Sequence, residues 1–258
     1  VRRRLAALCV LLAVCGCGVS SGRSQTDQDR DGRMLAAAIQ GVDSEGTGFT
    51  MDERLVLTGG GVPSGQALTV HATSRDGAAR DGNARLSYHI DSGRTGLDYD
   101  MMLTGTQLFA RRRGTSQWLT TPLSATTSFF PALRLELVRE TVLLASNVSG
   151  SSVTHISAGF ARKYAVKPAS DQLEQLQAIV VQGRSEASFL KSATGEVDVF
   201  LSVPGDRLQR IEVHVSGTDP GGGTRQRVDN SVDLRSARVT PIEPPDSASS
   251  VAPESIFQ

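Results

Sequence analysis

Apolar and polar residues alternate with a period of two along most of this chain. Leu68, Val70 and Ala72 alternate with Thr69, His71 and Thr73. Leu86, Tyr88 and Ile90 alternate with Arg85, Ser87 and His89, and Leu97, Tyr99, Met101 and Leu103 alternate with Asp98, Asp100, Met102 and Thr104. Neighbouring side chains of a strand point to opposite faces, so this pattern predicts antiparallel strands with one buried and one wet face. Turn signals separate them: Gly59-Gly60-Gly61, Asp81-Gly82, Gly105 and Gly114, the last two bounding strands over 107–112 and 117–119. The last third repeats the theme. Val197, Val199, Leu201 and Val203 alternate with Asp198, Phe200 and Ser202. Ile211, Val213 and Val215 alternate with Glu212, His214 and Ser216, and Val232, Leu234 and Val239 belong to a closing pair.

Helical spacing is confined to three places. Met34 to Val42 brings Met34, Leu35, Ala38 and Val42 near one face. A second helix starts at Pro131, carries Leu133, Leu137, Val138, Val142 and Ala145, and stops at Asn147. Ser152 to Ala158 then returns to strand. Ser170 caps a third helix with Leu173, Leu176 and Val180 on one side and Gly183 just past its end. A long antiparallel sheet has an apolar face through most of its strands, and only these few helices can cover it. The predicted class is therefore α+β: a strongly curved antiparallel sheet, a half-open barrel, wrapped over a few helices.

The N-terminal segment has a different character. Arg2, Arg3 and Arg4 precede an uncharged run from Leu5 to Val14. A membrane-spanning helix needs roughly 20 apolar residues, so this run reads as the apolar part of an export signal. Val14-Cys15-Gly16-Cys17 has the order of a lipoprotein cleavage site, with Cys17 the residue that takes the lipid. The expected organisation is a signal over 1–16, a lipidated Cys17 and flexible tether over 17–33, one folded domain over 34–246, and a Pro- and Ser-rich disordered tail over 247–258. All three cysteines, Cys9, Cys15 and Cys17, fall in that first segment, which leaves the domain no disulfide framework and no catalytic thiol. Without the three leading arginines, 24 basic residues face 27 acidic ones. A nucleic-acid partner is not expected on that balance.

Motifs that imitate chemistry have simpler readings. Asp27-Gln28-Asp29-Arg30-Asp31-Gly32 begins like a calcium loop, but its ninth and twelfth positions are Leu35 and Ala38, so a solvated tether is expected. His71, His89, His155 and His214 show no paired spacing, and no metal site is expected from them. Asp98 and Asp100 share a strand face and read as wet-face residues. Neither a nucleophile elbow nor a phosphate loop occurs, and no catalytic residue or cofactor is expected. The apolar strand faces remain as the candidate binding site: Leu86, Tyr88, Ile90, Leu97, Tyr99, Met101, Leu103, Val197, Val199, Leu201, Ile211 and Val213. They suit either acyl chains of a bound lipid or a filled core.

Three local patterns carry a family resemblance. Gly105-Thr106-Gln107-Leu108-Phe109-Ala110 followed by Gly114 and Trp118 is the first. Glu196 to Leu201 followed by Asp206 to Ile211 is the second, and Val239-Thr240-Pro241-Ile242-Glu243-Pro244-Pro245 is the third. Together they resemble the LolA-like half-barrel lipoproteins, in style the LppX and LprG type. The resemblance implies a cell-envelope lipoprotein whose cavity holds a lipid, a glycolipid or the acyl chains of a lipoprotein. It implies no catalytic residues. The alternative is an envelope sensor or regulatory module of the same fold that binds a protein partner.

Overall fold

The computed structural model describes residues 25–59, 66–91, 96–122, 135–145, 147–169, 171–173, 178–179, 188–189, 191–218, 223–252 and 255–256. The export signal, Cys17 and the first part of the tether lie outside the described residues, as do Pro131, Leu133, Leu176 and Val180.

Helix α1 spans Gln25–Glu45. The hairpins expected from the alternation follow as β1 (Thr47–Gly59), β2 (Ala67–Arg80), β3 (Asn83–Asp91), β4 (Gly96–Thr104), β5 (Gln107–Arg112) and β6 (Leu119–Pro122). Helix α2 (Leu135–Leu144) precedes β7 (Asn147–Ile156) and β8 (Gly159–Lys167). Among the described residues, two short strands, β9 (Ala178–Ile179) and β10 (Ser188–Phe189), pair only with each other. Then come β11 (Lys191–Ser202), β12 (Leu208–Thr218), β13 (Thr224–Ser236) and β14 (Ser249–Ser250).

Twelve strands form one sheet in the order β14-β6-β5-β4-β3-β2-β1-β13-β12-β11-β8-β7. Every pairing is antiparallel except β14 with β6. The end strands β7 and β14 do not pair, so the curved sheet stays open, as the alternation predicts. Asp81 and Gly82, both at positive φ, make the tight β2–β3 turn that an Asp-Gly pair favours. Helix α1 packs against α2, β2, β7 and β12 and so lies inside the curve. Leu35 and Ile39 of α1 and Leu135, Val138 and Val142 of α2 join the inner strand residues in one core cluster. Each such aliphatic side chain contributes about 1.5–3 kcal/mol on burial.

Four expectations need correction. The tether does not reach residue 33, because α1 already begins at Gln25 and buries Asp31 near its start. The imitation calcium sequence therefore lies within a helix. The helix expected from Ser170 is present at 171–173, but Ala178–Ile179 is a strand; the short apolar run fitted both periods. Asn147 opens β7 five residues before the expected strand start, and β8 had no predicted counterpart. The C-terminal stretch is ordered where described: β14 pairs with Leu119 and Thr120, and Ile256 is 1% exposed within the core cluster.

Candidate functional site

Cα partners on adjacent strands share a face of the sheet, so the register can be read straight across it. One inner row runs Val148, Val166, Val197, Val213, Asn230, Glu53, Ala72, Ile90, Leu97 over nine strands. Four of the predicted binding residues, Val197, Val213, Ile90 and Leu97, lie in it. The next row holds Tyr164, Val199, Ile211, Val232, Met51 and Ser74. On β3 and β4, Leu86 pairs with Met101, Tyr88 with Tyr99 and Ala84 with Leu103. Leu201 pairs with Leu208.

The twelve predicted residues thus form two banks on one face, separated by β2, β1 and β13. Ten of them, from Leu86 at 4% exposure to Val197 at 0%, are buried members of the same cluster. Ile90 and Leu97 are partly buried and pack against it. As described, the concave face is lined by these side chains and filled in part by the two helices.

Between the banks sits a residue that the sequence reading missed. Glu53 is 4% exposed and faces inward. Asn230 Nδ2 donates to its Oε2 at 3.0 Å, and Tyr88 Oη donates to its Oε1 at 3.4 Å. A buried carboxylate needs such donors, since transfer of an unpaired charge into a core is very costly. Burial, then the neighbouring Glu53 carboxylate, pushes the Tyr88 phenol well above its usual range and keeps it a donor. A signal for Glu53 exists in the sequence: it continues the period-two series from Phe49 and Met51, which places an acid at an inward position.

The outer face is a lattice of charges. On β12, Arg210, Glu212 and His214 point outward in succession. Their partners are Phe200, Asp198 and Glu196 on β11 and Asp233, Ser231 and Asp229 on β13. Arg210 donates to Asp233 at 2.6 and 2.8 Å and to Glu212 at 3.2 Å. Lys163 pairs with Oδ2 of the buried Asp198. His214 Nδ1 lies 2.8 Å from Asp229 Oδ1, and its Nε2 lies 3.8 Å from Glu212 Oε2. The Glu212 and Asp229 carboxylates overcome partial burial and push the His214 imidazolium up to about 9. Burial outweighs Lys163 at Asp198 and holds that carboxyl above its usual value.

The other histidines and acids pair locally. His71 bonds Asp52 at 2.8 Å and His89 bonds Asp98 at 3.0 Å, all half-exposed. Asp100 accepts from Arg111 at 2.7 Å. Asp98 and Asp100 therefore answer to different cross-strand partners and do not act together. Arg111 also stacks over Trp118 at 4.7 Å, beside a pocket of about 420 Å³ whose charged walls include Asp76 and Arg85. A pocket of about 250 Å³ opens between α1, α2 and the β2–β3 turn. Asp43, Asp81, Glu136 and Arg139 rim it, and the core residues Ile39 and Leu135 contribute to its lining.

No family model matches the chain, and no curated protein matches it. Among solved structures it is similar to the lipoprotein LppX of Mycobacterium tuberculosis, with TM-score 0.42 and 12% identity over 85% of this chain and 99% of that one. It is similar to LprF from Mycobacterium bovis, with TM-score 0.46 and 13% identity over 88% of this chain and 100% of that one. A domain from Vibrio parahaemolyticus named for outer membrane lipoprotein sorting aligns with TM-score 0.29 and 11% identity, over 80% of this chain and 92% of that one. Among the described residues, no helix is long and apolar enough to cross a membrane.

Proposed function

We propose that this chain is a cell-envelope lipoprotein that binds or moves a lipid, a glycolipid or the acyl chains of a lipoprotein, without catalysis. Lipid on Cys17 holds it at the outer side of a membrane, and the concave face receives the cargo. The observation that carries this reading is the inner face: two apolar banks on one side of the sheet, in one core cluster with α1, α2 and Leu173 of the helical turn at 171–173. The pocket between α1, α2 and the β2–β3 turn touches the core residues Ile39 and Leu135, and it is where a route to that face would open. Burial of an acyl chain yields about 0.8 kcal/mol per CH₂, so one chain of ordinary length outweighs the ordering cost of binding.

The test is native mass spectrometry of the domain from Ser20 onward, expressed in a bacterial envelope, followed by lipid extraction. A discrete added mass that extracts as lipid is expected. An apo mass with no recoverable lipid contradicts the reading.

A second reading, an envelope module that binds a protein, is favoured by one observation. Edge strand β7 has no outer strand partner among the described residues, and exposed Val153 and Phe160 lie beside that edge. A protein that co-purifies with a lipid-free domain and is released by charged substitutions at these two positions would select it.

A further inference from the structure

We propose that Asp198, Glu212 and His214 bind one divalent metal ion of the Zn²⁺ type on the outer face of the sheet. Glu212 and His214 are two apart on β12 and share that face, and Asp198 is the direct β11 partner of Glu212. One ligand atom from each of the three residues lies within 4.8 Å of the other two.

The remaining atoms of the trio are held from outside it. Asp229 holds Nδ1 of His214, Arg210 donates to Oε1 of Glu212, and Lys163 pairs with Oδ2 of Asp198. This is how outer partners orient metal ligands: a carboxylate on one imidazole nitrogen fixes the tautomer and presents the other nitrogen. That leaves Nε2 of His214, Oε2 of Glu212 and Oδ1 of Asp198 outside those outer pairings. Nε2 and Oε2 are 3.8 Å apart, a separation that two ligands of a common ion with bonds of about 2.0–2.2 Å can span.

An independent observation points the same way. Asp198 is 1% exposed, and among the described residues its Oδ1 has no hydrogen-bond partner. A buried carboxylate oxygen without a donor is costly, and a cation beside it removes the cost. The surrounding charge agrees. Asp198, Glu212, Asp229, Asp233 and Glu196 outnumber the permanent cations Lys163, Arg210 and Arg227. One imidazole with two carboxylates suits a zinc-like ion better than calcium or magnesium, which favour oxygen alone. The site is independent of the lipid reading and lies on the opposite face of the sheet.

The test uses the chelator-treated full chain, titrated with ZnCl₂ by calorimetry and with CoCl₂ by visible absorption. One ion per chain is expected. Uptake is lost in Glu212→Gln and in His214→Asn, and falls about ten- to a hundredfold in Asp229→Asn. The double variant His71→Asn, His89→Asn keeps wild-type binding. X-ray absorption of the zinc-loaded wild type needs no variant, and is expected to show nitrogen and oxygen ligands with a single imidazole. Absence of uptake by the wild type overturns the proposal. So does a folded Glu212→Gln or His214→Asn variant with wild-type affinity, or an absorption spectrum with two or more imidazoles.

Discussion

The two faces of this sheet are built from the same strands and solve opposite problems. On β12 the inward residues are Ile211, Val213 and Val215, and the outward ones are Arg210, Glu212 and His214. The inner face gains stability from apolar area and tolerates polar atoms only where each is answered, as at Glu53. The outer face contributes little through apolar area and places its charges by cross-strand pairing. Damage should therefore be large and insensitive to salt on the inner face, and small and sensitive to pH or ions on the outer one.

The largest expected effect is at Phe49, which is fully buried opposite Gly77. Its ring lies so close that a Cβ at Gly77 would stand 2.0 Å from Phe49 Cε2. Phe49→Ala should cost about 3–5 kcal/mol in a urea melt, and Gly77→Ala about 1–3 kcal/mol from overpacking. Next comes the inner polar trio. Asn230→Ala removes a donor from the buried Glu53 carboxylate and should cost about 1–3 kcal/mol. An unchanged midpoint would show that the interior does not enforce the pairing.

On the outer face, the His214 effect should appear as pH dependence. Its folded pKa is raised to about 9 from an ordinary value near 6.5. Its pairing with Glu212 and Asp229 is thus fully stabilising below about pH 6.5 and is lost as pH rises through about 9. With a chelator present, wild-type stability should fall across that window, and His214→Asn should flatten the fall. The same slope in both proteins would assign it to another group. The smallest effect is expected at the exposed pairs. His71→Ala and His89→Ala should each shift stability by no more than about 0.5–1 kcal/mol. A larger loss at either would break the contrast between the faces.

The strands and the face each residue takes were legible because a sheet's period is local. Leu97 to Leu103 and Ile211 to Val215 declare their inward set without any tertiary information. Partners distant in sequence were not legible. Nothing near Glu53 names Asn230, which lies 177 positions away. Nothing near Ile256 shows that it enters the core. Helix α1 begins early because tertiary contact buries Asp31 and Leu35 together, whereas the local composition of 25–33 reads as solvated chain. The four histidines show no paired spacing among themselves, and the partner of His214 is an acid two residues before it. That i, i+2 spacing on a strand was the available signal.

The concave face is the proposed place where acyl chains bind. The direct measurement is photo-crosslinking of the full chain with a fatty acyl probe bearing a mid-chain diazirine, mapped by peptide mass spectrometry. Label on the inner row, at β11, β12, β3 and β4 peptides containing Val197, Val213, Ile90 and Leu97, and its loss under competing lipid, is the predicted result. Label confined to Val153, Phe160 or other outer positions, or label that competing lipid does not displace, would contradict it.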